Sequence, residues 1–192
     1  MTEQGNAIAV VGLPGSGKGT LSEVARKAGF FVVAFGDITR EVTRRESPNG
    51  AGTTAFTVTE VANRLRKEVG PDWIAREAAK KAKGNSLVCF DDPRTPDEIA
   101  YLRTQYPTLR VFAVVSDNET RYSRILSRKR WDDLGTIDDV RKKDSESGGA
   151  WGIAKLTDEA DFVLENNSSI EEFRLKAESA IGEFLAKRRV LE

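Results

Sequence analysis

The nine residues Gly12-Leu13-Pro14-Gly15-Ser16-Gly17-Lys18-Gly19-Thr20 restrict the fold and chemistry of this chain more than any other stretch. Just before them, Ile8 to Val11 form an apolar run, and just after them Leu21 to Ala28 carry a helical pattern. Gly12 with the pair Gly17-Lys18 satisfies the GxxxxGK spacing in the strand, turn and helix setting that this spacing requires. Glycines let consecutive backbone N–H groups turn to one side, the helix N-terminus adds positive partial charge, and Lys18 can reach into the same hollow. Such a loop is a cradle for phosphates. The expected ligand is a nucleoside triphosphate, ATP with Mg²⁺, held by Gly12, Pro14, Gly15, Ser16, Gly17, Lys18, Gly19 and Thr20. Because Gly19 follows the lysine, the hydroxyl expected at the metal sits one place later than usual, on Thr20.

Five short runs, Ile8 to Val11, Phe31 to Ala34, Leu87 to Asp91, Val111 to Val115 and Phe162 to Leu164, alternate with helical stretches. Each run is apolar almost throughout rather than at every second position, so each strand needs cover on both faces. The pattern predicts a three-layer α/β/α domain with a five-stranded parallel sheet, spanning residues 1–192 as one unit. Two segments interrupt it and are expected outside the sheet: a helical insert over 37–83 and a short flap over 129–152. Asp91 ends the third run, where parallel sheets gather ligand groups, and its carboxylate is a candidate to hold a water on Mg²⁺. Thr95 and Glu98 have the spacing of a capping box for a helix starting near Pro96, which leaves a structural and a substrate role for Glu98 both open. Asp37 is expected to cap the helix that carries Arg40.

The loop Gly-x-Pro-Gly-x-Gly-Lys-Gly-Thr resembles the phosphate loop of adenylate kinases and related nucleoside monophosphate kinases. Gly36-Asp37-Ile38-Thr39-Arg40 is similar to that family's Gly-Asp-x-x-Arg, and Asp91-Asp92-Pro93-Arg94-Thr95 to its Asp-Gly-Phe-Pro-Arg-Thr. Arg124-Ile125-Leu126-Ser127-Arg128 is similar to the Arg-x-x-x-Arg that opens its lid. Over residues 6 to 186 the chain resembles the archaeal adenylate-kinase-related proteins most, through Val61-Ala62-Asn63-Arg64-Leu65-Arg66, Arg94 with Glu98, and Ala160-Asp161-Phe162-Val163-Leu164-Glu165-Asn166.

This resemblance implies a P-loop kinase fold in which 37–83 binds the acceptor and 129–152 is the lid. It implies Arg40 and Arg94 on the acceptor phosphate with Asp37 and Glu98 at the acceptor site. Arg124 would pack on the donor base, Arg128 would reach the phosphates, and Arg141 is the best lid arginine. Lys18, Arg94, Arg128 and Arg141 are then the groups expected to act on the transferred phosphoryl. Three positions depart from the pattern: Phe35 where the family has Thr, Asp92 where it has Gly, and Glu98 where it has Gln.

Thirty basic residues balance thirty acidic ones, so the chain has no overall positive field of the kind that holds a nucleic-acid backbone. Any polyanion site must be local. Arg121, Arg124 and Arg128 fall on one helical face and, with Lys129 and Arg130, form the densest basic patch. Next to the phosphate loop, that patch is expected to face phosphates rather than solvent. No histidine occurs, which removes His-based triads; phosphoryl transfer needs alignment and cations instead, so this is no obstacle. Cys89, the single cysteine, lies in an apolar run and is expected to be a buried thiol.

Apolar runs are too short to span a bilayer and no leader-like segment opens the chain, so the expected location is the cytoplasm. Neither nucleic acid nor membrane is an expected partner, and monomer and homodimer remain open. Trp131 and Trp151 bracket the flap, where they could fold over a nucleotide or simply anchor local packing. The expected function is transfer of the γ-phosphoryl of ATP to a nucleoside monophosphate or similar small acceptor. The alternatives are a dephospho-coenzyme A kinase and a nucleotide-dependent regulatory ATPase.

Overall fold

A computed structural model describes residues 6–46, 55–128, 136–150 and 152–189. Strands β1 (Asn6–Val11), β2 (Phe31–Ala34), β3 (Leu87–Asp91), β4 (Arg110–Val115) and β5 (Phe162–Glu165) form one sheet in the order β2-β3-β1-β4-β5, with every neighbouring pair parallel. The fold is therefore the expected α/β one. β2 and β3 keep the expected bounds, whereas β1, β4 and β5 run one or two residues past their apolar runs because ladder bonds continue there, as where the Asn6 N–H donates to the Ser86 carbonyl at 2.8 Å. Around the sheet lie α1 (Lys18–Lys27), α2 (Phe35–Glu46), α3 (Ala55–Glu68), α4 (Trp73–Ala82), α5 (Pro96–Gln105), α6 (Asn118–Arg128), α7 (Ile137–Ala150), α8 (Ile153–Asp158) and α9 (Ile170–Arg189).

Alternate residues of each strand supply two separate cores. Ala7, Ala9, Val11, Val88, Phe90, Val111 and Ala113 face a cluster completed by α2, α4, α5 and α8. Ile8, Val10, Cys89, Phe112, Val114 and Leu164 face the other side, where Leu21, Val24 and Ala25 of α1 and Phe173, Ala177, Ile181 and Phe184 of α9 cover them. Burial on both faces is why the strand runs are continuous in apolar residues. Each fully buried Val, Leu or Ile contributes about 1.5–3 kcal/mol relative to exposure, so the central strands hold the platform rigid. Cys89 is fully buried in this second core, and burial pushes its thiol well above the usual range, so it is inert.

The segment 37–83 does not lie wholly off the sheet. Ile74, Ala75, Ala78 and Ala82 of α4 are buried in the first core, and α4 packs against β2 and α5. Trp73 anchors the preceding turn, its indole N–H donating to the Ala62 carbonyl at 3.3 Å. The stripe 74, 75, 78, 82 has helical period, and it accounts for α4 joining the core, to which α2 adds Phe35 and Ile38 and α3 adds Ala62.

Candidate active site

All five strands deliver their following residues to one edge of the sheet, and the chemistry-bearing groups collect there. After β1 the chain enters the loop 12–17 and then α1. Gly17 has φ 108°, and a Cβ at this position would stand 2.1 Å from the Asn166 side-chain nitrogen. At Gly12, with φ 148°, a Cβ would lie 2.4 Å from the Val114 carbonyl oxygen. Both positions therefore require glycine, because the loop threads closely past the ends of β4 and β5. Lys18 folds back over the loop it follows, its Nζ donating to the Gly12 carbonyl at 2.7 Å and the Leu13 carbonyl at 3.1 Å. The ammonium group is thereby held at the mouth of the cradle.

Helix α6 clamps the loop from outside. Arg121 is 1% exposed and donates from Nη1 to the Pro14 carbonyl at 2.9 Å. Its other contacts are Asn118 Oδ1 at 2.6 Å and an ion pair with Asp144 of α7. Arg124, one turn on, donates to the Asn166 carbonyl at 2.9 Å and the Asn166 side-chain oxygen at 3.2 Å. Asn166, itself buried, passes the link on by donating from Nδ2 to the Ser16 carbonyl at 2.7 Å. Two arginines of α6 thus fix two carbonyls on the outer side of the loop, Arg121 directly and Arg124 through Asn166.

Opposite the loop, β3 ends in two adjacent carboxylates. Asp91 is mostly buried; burial and the neighbouring Asp92 charge push its carboxyl up to about 6. Asp92 has φ 72°, the left-handed region where Asp and Asn are the side chains best tolerated after glycine. Its N–H donates to the Val10 carbonyl at 3.0 Å, which fixes the backbone against β1. Its carboxylate lies 3.4 Å from Lys18 Nζ and accepts from Arg94 Nε at 3.1 Å and Nη2 at 2.8 Å. Burial works against its charge, but Arg94 and Lys18 outweigh it, so the Asp92 carboxyl stays below its ordinary value. One carboxylate therefore bridges the loop lysine and the arginine that follows β3.

The other expected acceptor groups are also paired. Arg40 donates to Asp37 at 2.5 Å, both partners on α2. Asp37 lies inside the first turn of a helix that already begins at Phe35, so it does not cap that helix as expected; its carboxylate goes to Arg40 instead. Glu98 is fully buried. Its Oε2 accepts from the Arg94 N–H at 2.6 Å and the Thr95 N–H at 3.2 Å, and its Oε1 accepts from Arg66 Nη2 at 2.8 Å. The capping box with Thr95 is present as its spacing predicts. Glu98 thus supports the backbone and charge behind Arg94, with no oxygen left open to a substrate.

Arg141 is mostly exposed and pairs with Asp138 one turn earlier on α7. Arg128 closes α6, and its side chain lies outside the described residues. So do Trp131, Trp151 and most of the polar stretch expected as the flap's first half. Thr20 sits in the first turn of α1, two residues past Lys18. Arg121, expected with Arg124 and Arg128 to face phosphate, instead turns its side chain inward to the loop backbone. Its partner Asp144 carried no signal at all.

A glycine-rich strand-to-helix loop with its lysine, on an all-parallel sheet in this order, defines a P-loop kinase-like nucleotide-binding protein. The AAA domain family matches residues 11–141, and the chain belongs to that family. It also belongs with the UPF0200 proteins. That of Methanoregula boonei is 37% identical over 92% of this chain and 96% of its own length, and that of Sulfurisphaera tokodaii is 34% identical over 93% and 97%. Among solved structures, TT1252 from Thermus thermophilus superimposes with a TM-score of 0.62 at 18% identity, covering 94% of this chain and 98% of its own. A gluconokinase from Sinorhizobium meliloti 1021 gives 0.58 at 14% identity, covering 96% and 98%. A dephospho-CoA kinase from Campylobacter jejuni gives 0.52 at 18% identity, covering 94% and 98%. At such identities these likenesses speak for the fold.

Proposed function

We propose that this protein is a phosphotransferase that moves the γ-phosphoryl group of ATP to a small acceptor. The observation that carries the reading is the meeting of Lys18 and Arg94 on the single carboxylate of Asp92. A lysine that can reach the donor phosphates and an arginine rising from the acceptor side converge on one point. There, phosphoryl transfer needs cations and in-line alignment more than covalent help.

In this reading the backbone N–H groups of the loop and of the first turn of α1 hold the donor phosphates. Lys18 leaves the Gly12 and Leu13 carbonyls to reach them. Arg124, through its hold on Asn166, shapes the wall near the donor base, and Arg128 and Arg141 are the candidates for a closing lid over 129–152. The hydroxyl of Thr20 and the carboxylate of Asp91 form a hard oxygen donor set. Among the described residues no group of three metal-binding side chains exists. Mg²⁺ keeps several of its waters and takes most remaining ligands from substrate phosphates, so two protein oxygens would suffice. When bound, it would neutralise charge on the transferred group.

The acceptor would enter between α2, α3 and the start of α5, where Arg40, Arg66 and Arg94 lie. The motif resemblance favours a nucleoside monophosphate there; a hydroxyl compound such as dephospho-coenzyme A is the second candidate, favoured by the carboxylate on Arg94. Release of ADP from Mg·ATP would be measured across nucleoside monophosphates, dephospho-coenzyme A and small alcohols. Saturable stimulation by one acceptor class supports the reading, and no stimulation by any member overturns it.

A further inference from the structure

Resting on that phosphotransferase reading, we propose that the acceptor presents a hydroxyl group rather than a phosphate monoester, and that Asp92 is the residue that selects it. The arginines that line the acceptor side, Arg40, Arg66 and Arg94, are each already engaged by a carboxylate. Arg40 is held by Asp37, Arg66 by Glu98, and Arg94 by Asp92, which Lys18 shares. Among the described residues on the acceptor side, each of these cations already has a carboxylate within ion-pair distance.

A phosphate monoester brings roughly −1.5 to −2 charges at neutral pH and would need Arg94 to turn from Asp92 to itself. Two features oppose that exchange. The Asp92 backbone is fixed, at φ 72° and bonded to Val10, so its carboxylate cannot withdraw by a simple backbone shift. The Arg94 backbone is fixed as well, its N–H donating to the buried Glu98, so its guanidinium starts from a set root and carries two bonds to the Asp92 carboxylate that a phosphate would have to displace. An incoming phosphate would meet a carboxylate already seated between the two cations it needs. Like charges so placed exclude wrong partners strongly.

A hydroxyl acceptor meets no such obstacle. Its oxygen forms the new O–P bond while the bond from the γ-phosphorus to the β,γ-bridging oxygen breaks, and ADP leaves with that electron pair. In a loose transition state the hydroxyl proton departs late, when the oxygen already carries the phosphoryl group and is strongly acidic. A weak base then suffices, and the Asp92 carboxylate takes the proton. The same side chain thus repels a phosphate monoester and receives the proton of an alcohol. At this left-handed position Asn and Gly are both tolerated, so Asp92→Asn and Asp92→Gly remove the charge and keep the backbone.

The test compares wild type, D92N and D92G in two assays. First, AMP and inorganic phosphate are titrated by calorimetry in the presence of a non-hydrolysable ATP analogue and Mg²⁺. Wild type should bind either weakly, and both variants should bind them at least about tenfold more tightly. Second, ADP release is followed with alcohol and monophosphate acceptors. Wild type should respond to the alcohols alone, and both variants should lose that response by about a hundredfold or more, the range expected of a general base. Wild-type turnover of a nucleoside monophosphate, or phosphate affinities unchanged by both substitutions, overturns the proposal. If no acceptor of either class stimulates ADP release, the phosphotransferase reading fails, and the hydroxyl assignment with it. The phosphate titration still shows whether Asp92 excludes phosphate from Arg94.

Discussion

The guanidinium of Arg121 holds the carbonyl of Pro14, 107 residues earlier in the chain, at 2.9 Å. An arginine this deeply buried requires a counter-charge, which Asp144 of α7 supplies. The phosphate loop is therefore backed by a desolvated ion pair rather than by apolar packing alone. The Pro14 carbonyl is thereby tied down from the side of α6.

That arrangement separates two roles of one residue. Arg121→Met or Asp144→Leu alone leaves a buried charge without its partner and should cost about 3–5 kcal/mol. The double variant removes both charges and should recover most of that stability, since buried ion pairs are commonly replaceable by apolar residues. Nucleotide affinity should not recover, because the Pro14 carbonyl still lacks its donor. Urea denaturation gives the first quantity and an ATP titration the second. Affinity that returns together with stability would reduce Arg121 to a packing element.

The glycines of the loop differ in what they face. A Cβ at Gly17 would stand 2.1 Å from the Asn166 side chain in a left-handed backbone, whereas a Cβ at Gly19 meets nothing within 4 Å. Gly17→Ala should destabilise the fold by roughly 2 kcal/mol or more through clash and backbone strain. Gly19→Ala, at a helical position, should be neutral or gain up to about 1 kcal/mol. Thermal unfolding of the two single variants without nucleotide checks the contrast.

Much of this architecture is written locally in the sequence and some is not. The strands are legible because residues such as Val10 and Phe112 are buried on opposite sides of neighbours that are buried too, which leaves unbroken apolar runs. The loop is legible because glycine and lysine spacing follows directly from backbone geometry. The Thr95 and Glu98 capping box is legible because its partners are three residues apart. The inward turn of Arg121 is not, since a helical face with arginines at i, i+3 and i+7 looks the same whether solvent or protein covers it. Its partner lies 23 residues away on another helix. The pairing of Glu98 with Arg66 spans 32 residues and is equally invisible locally.

Acid and base sensitivity should divide between the two carboxylates that end β3. Asp91 has its pKa raised from 3.8 to about 6, so the folded state binds more protons than the unfolded state in that interval. Stability contributed by its protonated form is present below pH 3.8 and is lost as pH rises toward 6. Asp92, with a lowered pKa, has the opposite sign: its contribution is present above its unfolded value of 3.8 and is lost as pH falls below it. Metal-free wild type should therefore lose stability relative to Asp91→Asn between pH 4 and 6, by up to about 3 kcal/mol at one pKa unit per 1.36 kcal/mol. Chemical denaturation of both proteins across that range measures it, and parallel curves would show that Asp91 titrates normally.

Glu98 tests whether the acceptor side is built or merely crowded. Its two oxygens serve different masters: Oε2 accepts from the backbone of Arg94 and Thr95, and Oε1 accepts from Arg66. Glu98→Gln keeps an amide oxygen for the backbone bonds but loses the charge opposite Arg66, and should cost about 1–3 kcal/mol. Glu98→Ala removes both functions and leaves Arg66 without its partner, at about 3–5 kcal/mol. Arg66→Met alone strands the fully buried carboxylate and should resemble Glu98→Ala. The Arg66→Met, Glu98→Gln pair removes both charges while retaining the cap, so it should be more stable than Arg66→Met by itself. Urea midpoints of the four variants decide the matter. A double variant no better than the single one would show that Glu98 owes its position to the backbone bonds and not to Arg66.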